Sequence, residues 1–302
     1  MIRIVVNRLL WILPILFLAN LFGFAYASFA RTRAGVSSFF VSSNSQSSIL
    51  SDYSAYLASL FDSALWSGLA QAAINSLGLL LLALLVAVAL GFLLGMWAVR
   101  LNPPRIAGWL TPIATLGLAA PSYVIGTFGI VAIFAWLIWG PNRPPPLPFK
   151  GFGWDSHLVL PVLALAARPI SQIAQMIASL MVDELRQPYI MAARGKGLAD
   201  RQLRWRHAFA NVRAPLIQTV ASSLRLMIGE QILIEALFSW PGLGNVLANT
   251  LTPSGIIGAT QVVEAGFLRP SLVATLATLL AALFVFVDSA AALLVTAADP
   301  RQ

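Results

Sequence analysis

Cysteine is absent from the 302 residues, which excludes a disulfide framework, thiol nucleophiles and cysteine-based metal sites. Histidine is nearly as scarce. His157 and His207 are the two present, and the order of apolar runs puts them at opposite faces of a membrane, so no metal site is expected. No G-x-x-x-x-G-K-[ST] loop occurs, so the chain does not cradle nucleotide phosphates by itself. No H-E-x-x-H or G-x-S-x-G pattern supplies a nucleophile–base set, and neither catalytic residues nor cofactors are expected. Charge is the last shortage: 10% of residues are Asp, Glu, Lys or Arg, against about 25% in a soluble domain.

What fills the space is apolar. Hydrophobic residues make up 59% of the chain, with a mean hydropathy of +0.82, so the principal solvent is lipid. A net charge of +8 would suit nucleic acid, but the basic residues cluster at the ends of apolar runs, where they set orientation. No nucleic acid is expected as a partner; membrane lipid is.

The fold class expected is an all-α integral membrane protein with about six spans. The first apolar run extends from Leu9 to about Ala30 with Pro14 inside it. Ala25-Tyr26-Ala27 imitates a signal-peptidase site, but the run of around twenty residues is long enough to span, whereas a signal-peptide apolar core is about 7–15. A retained first helix is favoured. Residues 31–71 form a serine-rich external segment ending in a short amphipathic helix through Tyr53, Tyr56, Leu60 and Phe61. The second span runs from Leu77 to Val99, where Gly91 and Gly95 offer a small-xxx-small face for intramolecular packing. Arg100, Pro103, Pro104 and Arg105 end it. Pro121 divides 106–139 into a leading segment and a third span, closed by the interfacial pair Trp136 and Trp139. Pro144-Pro145-Pro146 and Pro148 stiffen a short loop. The fourth span covers Leu158 to about Val182, the fifth Pro215 to about Leu237. An irregular, partly re-entrant stretch follows to Phe267, and a sixth span runs from Pro270 to about Ala297. Two domains follow: 1–71, and a core of five spans over 72–302.

Six spans put both termini on one side. Arg3, Arg8, Arg100 and Arg105 fall there, as do seven basic residues between Arg186 and Arg213. Arg31, Arg33, Arg143, Lys150 and Arg269 fall on the other. The positive-inside rule places the termini in the cytoplasm.

The longest polar interruption lies between the fourth and fifth spans, over about 186–213. Pro188 suits the first position of a short helix, which would run through Ala192 and Ala193 and stop near Gly195 or Gly197. Asp200 is expected to cap a second short helix carrying Leu203, Trp205 and Phe209, and Pro215 to open the next span. Two small residues on the first helix would let another protein approach closely.

Within the spans stand Arg168, Arg225, Glu230, Glu235 and Asp288. Charges at such depth are costly and mark a pathway, a gate or mutual pairs. Both readings stay open here, with Glu230 the deepest.

Tyr189, Ile190, Ala193, Arg194, Lys196, Gly197 and Leu198 are followed by His207, Ala208, Asn211 and Pro215. Further on come Glu235 and Phe238-Ser239-Trp240-Pro241-Gly242-Leu243-Gly244, and finally Asp299-Pro300-Arg301. In this order and spacing they resemble permease subunits of bacterial ABC importers, specifically the dipeptide/oligopeptide/nickel permease family, whose EAA loop matches the first set. The resemblance implies a subunit of the bacterial inner membrane. Its implied partners are a second permease subunit, two ABC ATPases that hydrolyse ATP, and an extracytoplasmic solute-binding protein. It implies that Ala192 and Ala193 seat in an ATPase groove, that Gly197 sets the elbow and that Leu198 anchors it. His207 would anchor the loop by hydrogen bonds. Many importers carry Glu where this chain has Met191, so seating would rest on shape and apolar contact. The family's external Asp-Leu-Gly-x-Ser element is missing. A membrane scaffold or an intramembrane enzyme is the alternative function.

Overall fold

In lipid every backbone N–H and C=O must find its partner within the segment, so apolar runs of span length fold as helices. The computed structural model describes residues 2–33, 49–60, 63–140, 145, 147–252 and 268–298. The long helices are α1 (Ile2–Arg33), α3 (Ser63–Trp97), α5 (Ser122–Trp139), α6 (Val159–Leu185), α8 (Phe209–Phe238) and α10 (Pro270–Ala298). Shorter ones are α2 (Ile49–Ser59), α4 (Leu110–Ala119), α7 (Pro188–Gly195) and α9 (Leu243–Leu251). The serine run 37–48, Phe61, Pro144, Pro146, 253–267 and Asp299-Pro300-Arg301 lie outside the described residues.

Among the described residues, five helices are long and apolar enough to cross a membrane: Leu10–Arg33, Trp66–Trp97, Ser122–Trp139, Ser156–Leu185 and Pro270–Ala290. Helix α8, with 30 residues, has the length of a span but carries Arg213, Arg225, Glu230 and Glu235. It is the polar member of the set. Pro121 divides α4 from α5 as the sequence predicts, with its backbone extended at ψ 146°. Helix α3 starts well before Leu77, because the residues from Ser63 onward contain no proline and continue the same helix.

One element departs from the all-α expectation. Residues expected merely to end the second span form a two-stranded antiparallel ribbon, β1 (Val99–Leu101) against β2 (Pro104–Ile106), with Arg100 opposite Arg105. Asn102-Pro103 makes the tight turn that lets the chain double back.

The chain divides into two compact units, 1–77 with 239–286, and 78–238 with 287–302. In the first, Asn20 of α1 donates to Tyr56 Oη at 2.8 Å and Thr278 Oγ1 at 2.9 Å, and accepts from Tyr53 Oη at 2.9 Å. Phe24 stacks on Tyr56 at 5.5 Å beside this network. A buried amide in apolar surroundings is tolerable only when its groups are bonded, and these bonds tie α1, α2 and α10 together.

In the second unit α6 is the most deeply buried helix and packs against α8, α4 and α5. The face of Gly91 and Gly95 serves intramolecular packing. A Cβ at Gly91 would stand 2.8 Å from Ile173 Cβ, and one at Gly95 2.7 Å from the Ala174 carbonyl oxygen. Only a missing side chain lets α3 and α6 lie so close.

Candidate functional site

Helix α7 begins at Pro188, whose missing N–H is no loss in a first turn. It ends in a Schellman motif. Gly197 N–H donates to the Arg194 carbonyl at 2.9 Å, and Leu198 N–H reaches back to the Ala193 carbonyl at 3.4 Å. Gly197 holds φ +83° to make this turn. The glycine elbow is therefore at Gly197, and Gly195 closes the helix.

Beyond the elbow the structure corrects two expectations. Asp200 does not cap a helix: Ala199 takes that position, and Asp200 is the first helical residue. Its carboxylate instead accepts from Asn102 Nδ2 at 3.2 Å and Arg194 Nη2 at 3.4 Å. Nor does Pro215 open the next span. The turn Asp200–Gln202 passes into a π-helical turn, Leu203–Ala208, and straight on into α8, with Pro215 inside that helix. Arg213 Nε donates to the Ala210 carbonyl at 3.2 Å just before the proline.

The segment is fastened at three places. Tyr189 Oη donates to Glu184 Oε1, and Asn211 Nδ2 donates to the same oxygen at 2.8 Å and to Tyr189 Oη at 3.0 Å. Partial burial, followed by the neighbouring carboxylate, pushes the Tyr189 hydroxyl up to about 12. Trp205 and Phe209 pack with Phe92 of α3, ring centres 6.0 and 5.6 Å from it. Third, arginines reach the β-ribbon: Arg204 Nη2 to the Val99 carbonyl at 2.7 Å, and Arg186 Nη2 to that of Pro104 at 3.1 Å.

These fastenings decide what stays uncovered. Ile190 and Leu203 are buried, and Ala193, Arg194, Leu198, His207 and Pro215 are half-buried. Tyr189, Met191 (59% exposed), Ala192, Gly195, Lys196 and Gly197 are open. Motif residues thus fall into an inward set that holds the segment and an outward, solvent-facing set, with Tyr189 exposed but bonded to Glu184 and Asn211.

Residues 87–299 match the family of binding-protein-dependent transport system inner membrane components. The chain belongs to that family. As an inner membrane component it is a multi-pass membrane protein and a transport subunit, its relatives being named as permeases. It is 29% identical over 195 residues to the dipeptide transport system permease protein of Lactococcus lactis, covering 64% of this chain and 62% of that one. It is 28% identical over 227 residues to a putative peptide transport system permease of Brucella abortus, covering 75% and 68%. An oligopeptide transport system permease of Bacillus subtilis is 27% identical over 179 residues, 58% of this chain and 57% of that one. The MetNI methionine ABC transporter in inward-facing form superposes with a TM-score of 0.59 at 16% identity, over 79% of this chain and all of that chain. That likeness is one of fold.

The second motif of this membrane component builds a corner. Phe238 ends α8, and its carbonyl accepts from Gly151 N–H at 3.0 Å. Ser239 stands at φ 56°. Trp240 is fully buried, its indole N–H on the Asn75 carbonyl at 3.1 Å, while Asn75 Nδ2 donates to the Pro241 carbonyl at 2.9 Å. Gly242 then stands extended before α9, and the Leu243 N–H donates to Ser76 Oγ at 2.8 Å. Leu243 and Gly244 are buried at the start of that helix.

Four of the five charges within the expected spans are brought together in two pairs. Arg168 Nη1 bonds Glu230 Oε1 at 2.6 Å, and Ser122 Oγ donates to the other oxygen. Arg225 pairs with Asp288. Glu235, wholly buried, accepts from Gln231 Nε2 at 2.7 Å. Sequence reasoning missed Glu184, Asn102 and the ribbon: Asn102 and the ribbon meet residues distant in the chain, and Glu184 joins Tyr189 to Asn211, 27 residues away. The seven basic residues of 186–213 were the available signal, since several of them serve carbonyls rather than solvent.

Proposed function

We propose that the chain is the permease subunit of an ATP-driven ABC importer for peptides or a related small solute. With a second permease subunit it forms the translocation pathway, and it couples to two cytoplasmic ATPases through 186–213. An extracytoplasmic binding protein delivers the solute, both termini are cytoplasmic, and 72–302 is the transporting core. Membership in the family and the names of the peptide-transporting relatives support the class.

The observation that carries the coupling role is the open face of α7. Small and unbranched residues, Ala192, Gly195 and Met191, lie outward on a helix whose other face is held by Ile190 and the elbow. A short helix so exposed and so firmly backed is a projection that another protein can grip. Met191 in place of a carboxylate leaves shape and apolar contact to do the seating. The paired charges Arg168–Glu230 and Arg225–Asp288 supply polar positions for the pathway or its gate.

The test uses the absence of native cysteine. A Met191→Cys chain, co-expressed with its partner ATPases, should cross-link to an ATPase subunit through a thiol reagent. Ala192→Trp should abolish ATPase co-purification and uptake while the chain still inserts. Retention of both by Ala192→Trp refutes coupling through this face and leaves the loop a solvated connection.

A further inference from the structure

We infer that the β-ribbon Val99–Ile106 is a working part of the coupling apparatus: it moves with 186–213 as one body and carries the stroke into α3 and α4. This rests on the coupling role proposed for α7.

Apolar burial accounts for part of the ribbon only: Val99 is buried, and both strands lie against α6. Arg100 and Arg105 stand opposite each other, exposed, and a two-stranded ribbon alone is marginally stable in water. The coupling segment adds the polar ties. Arg204 takes the Val99 carbonyl at 2.7 Å, Arg186 takes that of Pro104 with two nitrogens at 3.1 and 3.3 Å, and Arg194 reaches that of Leu101 at 3.5 Å. Asn102 at the turn bonds Asp200 at 3.2 Å. Three cations from one segment thus serve carbonyls along the ribbon, and the same segment's lone carboxylate serves its tip. Charge-assisted bonds of this kind are about twice as strong as neutral ones.

The other end of the ribbon has little slack. Ala98 alone separates β1 from the end of α3, and it is fully buried. Residues 107–109 alone separate β2 from α4, and Ala107 N–H closes back on the Ala98 carbonyl at 2.8 Å. Trp97 and Trp109 pack together at 5.2 Å across the two exits. Phe92, one turn inside α3, takes Trp205 and Phe209 of the segment. A displacement of α7 therefore cannot be absorbed between segment and ribbon, and it reaches α3 and α4 as well as α6 and α8. Arg204 is a positioning residue in this device.

The experiment uses the assembled transporter, the chain with the second permease subunit, the ATPases and the binding protein, in proteoliposomes. In an Asn102→Cys, Asp200→Cys double variant, ribbon and segment are joined by a short bis-thiosulfonate linker. ATP hydrolysis and ATP-driven dipeptide uptake should match those of the same variant before linking, within twofold. A fall of tenfold or more on linking, reversed by dithiothreitol, would show sliding between the two and overturn the inference. Arg204→Ala should lower uptake per ATP hydrolysed at least fivefold, and Arg204→Lys should recover part of it. An unchanged ratio also overturns the inference. Ala192→Trp run alongside separates the two ideas: if it keeps its ATPases and its uptake, the coupling role of α7 has failed, whatever the linker does.

Discussion

Arg168 on α6 and Glu230 on α8 form an ion pair of 2.6 Å, although 62 residues separate them. Their side chains are 32% and 18% exposed. Removing one partner from such a pair leaves a charge with no counterpart in a poorly solvating place, at a cost of about 3–5 kcal/mol.

Arg168→Ala and Glu230→Ala should each lower the melting temperature of the detergent-solubilised chain sharply. The reversal Arg168→Glu with Glu230→Arg should recover most of that loss. Uptake separates the two roles left to the pair. If it only joins α6 to α8, transport returns with stability. If it lines the pathway, stability returns and transport does not.

Gly95→Leu should separate α3 from α6, since even a Cβ there would lie 2.7 Å from the Ala174 carbonyl oxygen. Overpacking of this kind costs about 1–3 kcal/mol. Gly68, on the same helix, has nothing within 4 Å of its Cβ position. Gly68→Ala should stabilise slightly, by up to about 1 kcal/mol of helix propensity. Thermal unfolding of the two variants in one detergent checks both signs.

Gly197 sits at φ +83° with open space around it, so any effect of substitution comes from the backbone. Gly197→Val should strain the elbow by about 1–3 kcal/mol and cost ATPase co-purification at normal membrane levels of the chain. Gly197→Asn, which tolerates positive φ, should keep it. Equal behaviour of the two variants would show that the elbow's backbone is not what matters.

Tyr189, raised from its ordinary 10.0 to about 12, holds its proton more tightly folded than unfolded. Its contribution is complete below pH 10 and is lost as pH rises through about 12. Near neutral pH it gives no pH dependence. The tyrosinate absorbance of the folded chain minus that of Tyr189→Phe should show one late-titrating group, and a midpoint near 10 would contradict the contact with Glu184.

Orientation is open to reporter fusions. Those after Arg105 and Leu203 should report cytoplasm, and those near Ser45 and Pro146 exterior. An exterior signal at Leu203 would remove the segment from reach of any ATPase.

The sequence alone determined the solvent, the division at Pro121, the start of α7 at Pro188 and the glycine turn at its end. These are local matters: apolar length, a missing N–H, a missing Cβ. Only the tertiary structure decided that Asp200 serves Asn102 and Arg194 rather than a helix start. It alone carried the chain through Pro215 by way of a π-helical turn, and partnered Arg225 with Asp288. It alone folded Val99–Ile106 back as a ribbon, because those strands rest on α6 and bond to arginine from about a hundred residues later. Short-range geometry is written in neighbouring residues, whereas a carbonyl's distant donor is settled only when helices pack.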